Sequence, residues 1–305
     1  MIRNRQEILF LYDVSDSNPN GDPLDSNKPR IDEETGINIV TDVRLKRTIR
    51  DYLFNFKGYD GTDGKDIFVR EEAAAGGGLK DGKARAKDFS DNQEEVLKRA
   101  IDIRLFGGVI PLKNDSITFT GPVQFNMGRS LNKVNITHIK GTGAFASTEG
   151  KENKTFREEY ILPYSFIAFH GLINENAAKE TNLTDVDIEL LHEATWNGTK
   201  NLITRSKMGH MPRFLARVVY KENGNFFIGD LHKKVRMDSK VNEEKIRGLE
   251  DFSLDITNLV DDIKKHANKI EKIILTVDDN LKFIYNNKEV NFKDVFAVEV
   301  EEISF

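Results

Sequence analysis

No cysteine occurs anywhere in the chain, which removes disulfides, thiolate zinc sites and cysteine nucleophiles at a stroke. Proline is scarce, seven residues in 305, so no proline-rich linker divides the sequence. No apolar run approaches the ~18 residues that suggest a membrane span, so no membrane is expected as a partner. The opening Met1-Ile-Arg-Asn-Arg-Gln-Glu7 turns charged too soon for a secretory leader. Together these absences point to a cytoplasmic protein. A net charge of −5 also argues against a chain that holds nucleic acid by bulk charge.

What charge there is lies unevenly. Residues 238–305 carry sixteen Asp/Glu against ten Lys/Arg, so the excess of acid sits in the tail. Two long stretches contain no carboxylate. Ser116–Thr148 holds three basic residues, and Thr199–Lys221 holds six, including Lys200, Arg205 and Lys207. A polyanion responds to the field within roughly a Debye length, ~8–10 Å, not to whole-chain charge. Local cationic surface therefore remains possible on an acidic protein.

Several motifs can be set aside. Asp16-Ser-Asn-Pro-Asn-Gly-Asp-Pro-Leu-Asp-Ser-Asn27 has the alternation of a calcium loop. The last position, however, is Asn27 instead of a bidentate Glu, and a strand precedes the loop where a helix is required. Gly141-Thr-Gly-Ala-Phe-Ala146 has no apolar helix after it to receive a pyrophosphate. Gly76–Gly78 lacks the Gly-Lys-Ser/Thr of a phosphate loop, and His192-Glu193 meets Trp196 where a zinc protease has its second histidine. His170, in an apolar strand, reads as a satisfied core residue. No cofactor or metal is expected. Asp16, Asp22 and Asp25 keep one catalytic alternative open, a metal-assisted ribonuclease. Solvated turns explain the same residues.

Periodicity predicts a strand over 7–14 and a turn-rich loop over 16–40. A helix follows over 41–56, capped by Thr41 or Asp42, with Leu45, Ile49, Tyr52, Leu53 and Phe56 on one buried face. Residues 57–115 read as an insertion with a short helix over 91–104. A strand with a bend at Gly121-Pro122 spans 116–127, and 131–158 reads as a polar, glycine-bearing hairpin. Strands at 160–173 and 214–220 flank a helix at 184–199. The tail alternates a helix (256–268) with strands (271–277 and 281–285). Strand, helix, strand, interruption, strand, helix, strand is the order of a ferredoxin-like or RRM-like α+β core. One domain, 1–305, with insertions is the simplest organisation.

The helix after the loop carries Arg44, Lys46, Arg47 and Arg50 in its first turns, where the helix dipole disfavours cations. An anion would relieve that repulsion, so a phosphate is the expected ligand.

The run Asn18-Pro-Asn-Gly-Asp-Pro23, with Pro29-Arg-Ile-Asp32, Thr35-Gly36 and Val40-Thr-Asp-Val-Arg-Leu-Lys-Arg47, strongly resembles the CRISPR-associated backbone subunit of type I Cascade. The resemblance is greatest to the type I-B branch, with type I-C near it. Asp102–Gly108, Gly121–Phe125, Gly128–Leu131 and Ile161–Ser165 extend the match in order across most of residues 7–220. It implies an RRM-like palm, a finger-like insertion (57–115), a thumb-like hairpin (131–158) and an acidic α/β C-terminal extension (238–305). The implied function is non-catalytic. Copies of the chain would stack along a CRISPR RNA as a helical filament beside other Cascade subunits, and the guide would pair with target DNA. Carried over to this sequence, Lys46, Arg47, Gln124 and Arg129 would meet the RNA; with the loop, the basic helix and the acid-free stretches, the expected RNA-binding residues are Asn18, Asn20, Arg44, Lys46, Arg47, Arg50, Gln124, Asn126, Arg129, Lys200, Arg205 and Lys207. An RRM-like sheet ringed with cations would bind a single strand without reading its sequence. Related subunits of type III complexes cut RNA with an Asp after the first strand, the place open to Asp16, Asp22 or Asp25.

Overall fold

A computed structural model of the chain describes residues 1–112, 115–146 and 154–305. The organising element is β1 (Gln6–Ser17), whose first nine residues are all buried. A strand with both faces covered needs apolar residues at every position, not at alternate ones. Gln6-Glu-Ile-Leu-Phe-Leu-Tyr-Asp-Val14 is close to that pattern.

The chain continues through β2 (Ile37–Val40) into α1 (Asp42–Phe56). After the insertion come β3 (Val123–Phe125), β4 (Gly128–Lys133), β5 (Thr137–Ala146) and the twenty-residue β6 (Lys154–Ile173). Then follow α2 (Asp185–Lys200), β7 (His210–Tyr220), β8 (Ile270–Val277) and β9 (Glu299–Glu302). The main sheet runs β9-β8-β7-β1-β6-β4-β2, with Ile31–Asp32 beyond β2, and with β3 and β5 also paired to β6. β1 lies antiparallel to both β6 and β7, Phe10 facing Phe169 on one side and Leu215 on the other.

Each face of this sheet has its own core. Ile8, Phe10, Tyr12 and Val14 pack with Leu45, Ile49 and Leu53 of α1 and Ile188 and Leu191 of α2. Leu9 and Leu11 point the other way, into a cluster with Leu231, Phe252, Leu254, Leu259 and Ile263. The tail thus does more than extend the molecule. It adds β8 and β9 to the main sheet and, through the small sheet Arg236–Ser239, Phe252–Asp255, Phe283–Tyr285 and Lys288–Val290, covers the face opposite the helices. The open sheet face expected for single-strand binding is therefore closed by this protein's own apolar side chains. Among the described residues no helix is long and apolar enough to cross a membrane.

The insertion builds a third cluster around Phe68, Phe89, Val96, Ile103 and Phe119. Its helices are Gly82–Asp88, Gln93–Arg99 and Ile101–Phe106. The single helix expected over 91–104 is broken at Ala100, whose extended backbone bridges to Asp66. Helix Gly82–Asp88, not anticipated within the insertion, begins with an Asp81 carboxylate accepting from the Ala84 amide. Phe56, expected to be buried, ends α1 at 59% exposure. The hairpin strands β5 and β6 pair antiparallel. The segment 147–153 and the side chains of Phe145 and Phe156 lie outside the described residues.

Gly128 opens β4 against the buried ring of Phe169, and a Cβ there would stand 2.3 Å from the ring. That ring is wedged edge-on against Phe125 and cannot turn aside. Gly128→Ala is therefore expected to lower stability by about 1–3 kcal/mol through overpacking. A denaturant midpoint equal to wild type would contradict this packing.

Candidate nucleic-acid interface

The twelve residues named above separate into three groups. The first gathers where β1 leaves the sheet. Gly209 approaches Ser15 so closely that the Ser15 amide donates to its carbonyl at 3.0 Å, and a Cβ on Gly209 would lie 1.9 Å from the Ser15 oxygen. Farther along, the Asn18 amide and the Ser17 hydroxyl both donate to the Ser206 carbonyl, at 3.0 and 2.7 Å. This register lays the 201–209 loop along the end of β1 and brings the Lys207 ammonium onto the Asn18 carbonyl.

The same loop is tied to α1. Asn18 Nδ2 donates to the Asn27 carbonyl at 2.7 Å, which draws in the turn-rich segment. Asn20 Oδ1 accepts from both the amide and the hydroxyl of Thr41, each at 2.9 Å. Thr41 stands at the N-cap, but its side chain makes no capping bond; its hydroxyl donates to Asn20. One turn into the helix, Arg44 donates to the Thr48 hydroxyl at 3.1 Å. Arg44 lines a small cavity with Tyr12, Pro19, Thr48, Thr199 and His210. Arg44 lines this cavity, and Asn18, Asn20 and Lys207 stand beside it, so three separate parts of the chain meet here.

Its electrostatics are one-sided. Burial, with Arg44 nearby as a second cause, pulls the Lys207 pKa down to about 7. Burial also lowers that of Arg44. His210 falls to about 3, first through burial and then through Lys207, so its ring is neutral. Its Nδ1 lies 2.6 Å from the Lys207 carbonyl and must donate there, which leaves Nε2 as a buried acceptor without a partner. Asn18 Oδ1 is buried and unpartnered too. Buried polar atoms with no protein partner are costly, and these two acceptors could be met by a donor such as a water or a ribose hydroxyl, not by a phosphate oxygen. Sequence reading passed over His210 and Tyr12. The signal that could have found His210 was its position inside the acid-free stretch Thr199–Lys221.

The second group is structural. Lys46 is buried, with Nζ 3.0 Å from Asp42 and 3.1 Å from Gln124 Oε1. Arg50 reaches the buried Asp102 at 2.9 Å, and both cations lie over the Phe106 ring. Asp102 also accepts from the amides of Phe68 and Val69, so this group fastens α1 to the insertion. Lys46 and Arg50, four residues apart, share one flank of α1, and that flank faces protein.

The remaining five are exposed, as is Gln124. Arg47 pairs with Asp51 at 2.6 Å, Arg129 with Asp32 at 3.5 Å and Arg205 with Glu159 at 2.8 Å. Asn126 and Lys200 have exposed side chains. Of the loop carboxylates, Asp22 is bonded to Arg30 at 2.6 Å and Asp25 to Lys28 at 2.7 Å. Asp16 is exposed, with a positive φ of 44°. Among the described residues no three His, Asp or Glu side chains gather as a metal site.

With this geometry in place, comparison with known proteins is informative. Residues 4–257 match the family described as CRISPR-associated protein Cas7. A curated CRISPR-associated protein Cas7 from Haloferax volcanii is 34% identical, over 96% of this chain and 93% of its own length. Two solved chains share the fold. One comes from a pre-nicking CRISPR RNA-guided surveillance complex, with TM-score 0.58 at 11% identity over 98% of this chain and 96% of that one. The other comes from a CRISPR RNA-guided surveillance complex, with TM-score 0.53 at 13% identity over 99% and 95%. At such identities these two speak to the fold alone. The family model and the archaeal relative, each spanning most of the chain, place this protein in the CRISPR-associated Cas7 family.

Proposed function

We propose that this chain is a non-catalytic CRISPR RNA-binding backbone subunit of a type I Cascade of the I-B branch, and that it works in the cytoplasm. Copies polymerise along the guide, other Cascade subunits join them, and the guide pairs with target DNA. One observation carries the RNA contact. Five of the eight cations expected at the site, Lys46, Arg47, Arg50, Arg129 and Arg205, are paired with carboxylates. Arg44 lines the small cavity and Lys207 stands near enough to feel its charge; neither has a carboxylate within 4 Å among the described residues, although Asp51 acts on Arg44 from farther off. Burial without an adjacent carboxylate disfavours the charge on both groups, and a phosphate between them offsets that cost. Phosphate contacts hold a guide without reading its bases, and specificity passes to base pairing.

The sheet order β7-β1-β6-β4, with α1 and α2 on one face, supports reading the core as a ferredoxin-like palm. Residues 57–115 serve as the finger, 131–158 as the thumb and 238–305 as the acidic extension. Because the tail covers the other sheet face, RNA runs along the rim, over the β1 end and the start of α1. Arg47, Asn126, Arg129, Lys200 and Arg205 border that path. Lys46, Arg50 and Gln124 support it from behind.

Arg44→Gln is expected to leave the fold intact and to weaken single-stranded RNA equally across sequences. One lost phosphate contact should reduce the log–log salt slope by about 0.7. An unchanged slope in a fluorescence-anisotropy titration over salt would remove Arg44 from the interface.

The ribonuclease reading keeps one supporting feature, the exposed Asp16 with its left-handed backbone at the end of β1. Asp22 and Asp25 are occupied by Arg30 and Lys28, which favours the non-catalytic reading. Complementary RNA incubated with guide-loaded protein and magnesium is expected to stay intact. Cleavage that disappears in Asp16→Ala would overturn the non-catalytic assignment.

Replacing residues 141–156 with a two-residue turn should leave the melting temperature near wild type, since closure entropy varies by only ~0.6 kcal/mol per doubling of loop length. The same variant should bind long RNA without forming filaments. Wild-type-length filaments in electron micrographs would contradict the thumb assignment.

A further inference from the structure

Beside the small cavity between β1 and α1 stands a half-buried lysine, Lys207, within reach of the Arg44 charge. The Lys207 ammonium donates to a backbone carbonyl, that of Asn18, and no carboxylate lies within 4 Å of it among the described residues. The titratable or charged groups around the cleft are Arg44 on α1, His210 at the start of β7 and Tyr12 on β1, whose ring stacks on His210 at 5.8 Å. None of the three offers a negative charge at neutral pH: Arg44 is cationic, His210 is neutral, and burial pushes the Tyr12 phenol up. Arg205, two residues earlier on the same loop, is engaged with Glu159 at 2.8 Å.

We propose that Lys207 is a proton-linked phosphate contact: RNA entering this cleft draws a proton onto Lys207, so that affinity falls as pH rises above neutrality. This deepens the RNA-binding reading and rests on it. The direction follows from the two end states. In the free protein, burial and Arg44 hold the Lys207 pKa at about 7, so above neutrality its amine is mostly uncharged. A phosphate beside it favours the charged form and restores the pKa towards its ordinary value of 10.5. Between those two values the bound state carries a proton that the free state lacks. Affinity is therefore greatest at and below pH ~7 and declines by up to about tenfold per pH unit above it, until the bound pKa is reached. The neutral free state has its own use, since it avoids two like charges side by side in a half-buried cleft while no RNA is present.

The test is the pH dependence of RNA affinity over roughly pH 6–9. The probe is an oligoadenylate, whose bases do not titrate in that range. Wild type, Lys207→Arg, Lys207→Gln and Arg44→Gln are compared at constant ionic strength, with folding checked by thermal melting. Wild type should weaken steeply above neutrality. Lys207→Arg, charged throughout, should bind with a flat profile, and Lys207→Gln should be weaker and also flat. Calorimetry in buffers of different ionisation enthalpy should show proton uptake on binding near pH ~8 for wild type and none for Lys207→Arg. A flat wild-type profile, or a slope that survives in Lys207→Arg, overturns the proton linkage while leaving the cleft as an RNA site. If Arg44→Gln and Lys207→Gln both match wild type at every pH, the cleft itself is not the RNA site, and the reading beneath falls with it.

Discussion

Everything in this molecule depends on a central strand that no water reaches. β1 is flanked by β6 and β7 and covered above and below, so each polar group it carries must find its partner inside the protein. Glu7 shows how strict that is. Its carboxylate, fully buried, accepts from His170 Nε2 and from the amides of Ile228 and Gly229, each at 2.8 Å, and also from the Tyr220 hydroxyl. The negative charge correspondingly pushes up the Tyr220 phenol, after burial as the larger cause. Those four bonds tie β1, β6, β7 and the 226–230 turn into one unit. At the other end Asp13 accepts from Arg213 at 2.9 Å and Tyr164 at 3.2 Å, and Arg213 goes on to Asp278 at 2.6 Å. Losing one partner would strand a buried charge, a far larger penalty than the worth of a surface pair.

The site stands at the point where that constraint ends. Past Val14 the strand emerges, and Ser15 and Asp16 are exposed before Ser17 and Asn18 are covered again by the 201–209 loop. Backbone groups released from the sheet ladder are taken up by Gly209 and Ser206. This splicing of two loops forms a cleft with cations in it. The same fold that pairs many of its basic side chains with nearby acids leaves Arg44 and Lys207 with neutral hydrogen-bond partners, Thr48 and the Asn18 carbonyl. A net-acidic protein can hold a polyanion in this way, because the local field decides at distances of about 10 Å.

Covering the second sheet face has a functional consequence. A ferredoxin-like sheet with one face bare can stack bases on it; here Phe166, Phe214 and Phe252 occupy that space as core residues. On the proposed reading, nucleic acid would run along the rim, where contacts to phosphates are indifferent to sequence. The acidic residues of the tail lie on the element that does the covering, so repulsion adds to the physical block.

The sequence alone determined the alternation of elements, the buried strand, α1 and its apolar stripe at Leu45, Ile49, Tyr52 and Leu53, and the family resemblance carried by the Asn18–Pro23 and Val40–Arg47 runs. These are local: periodicity and turn chemistry act within a few residues. It also placed the cations, but not their partners. That Lys46 and Arg50 serve the insertion while Arg44 faces the cleft depends on Gln124 and Asp102, more than fifty residues away. That Lys207 meets Asn18 depends on a contact spanning 189 residues. The tail's return to the main sheet was equally invisible, because a strand's neighbour is a long-range pairing that no local pattern encodes. Residue type and spacing decided which groups could bind an anion; only tertiary structure decided which of them were left uncompensated, because compensation depends on which carboxylates the fold brings within reach.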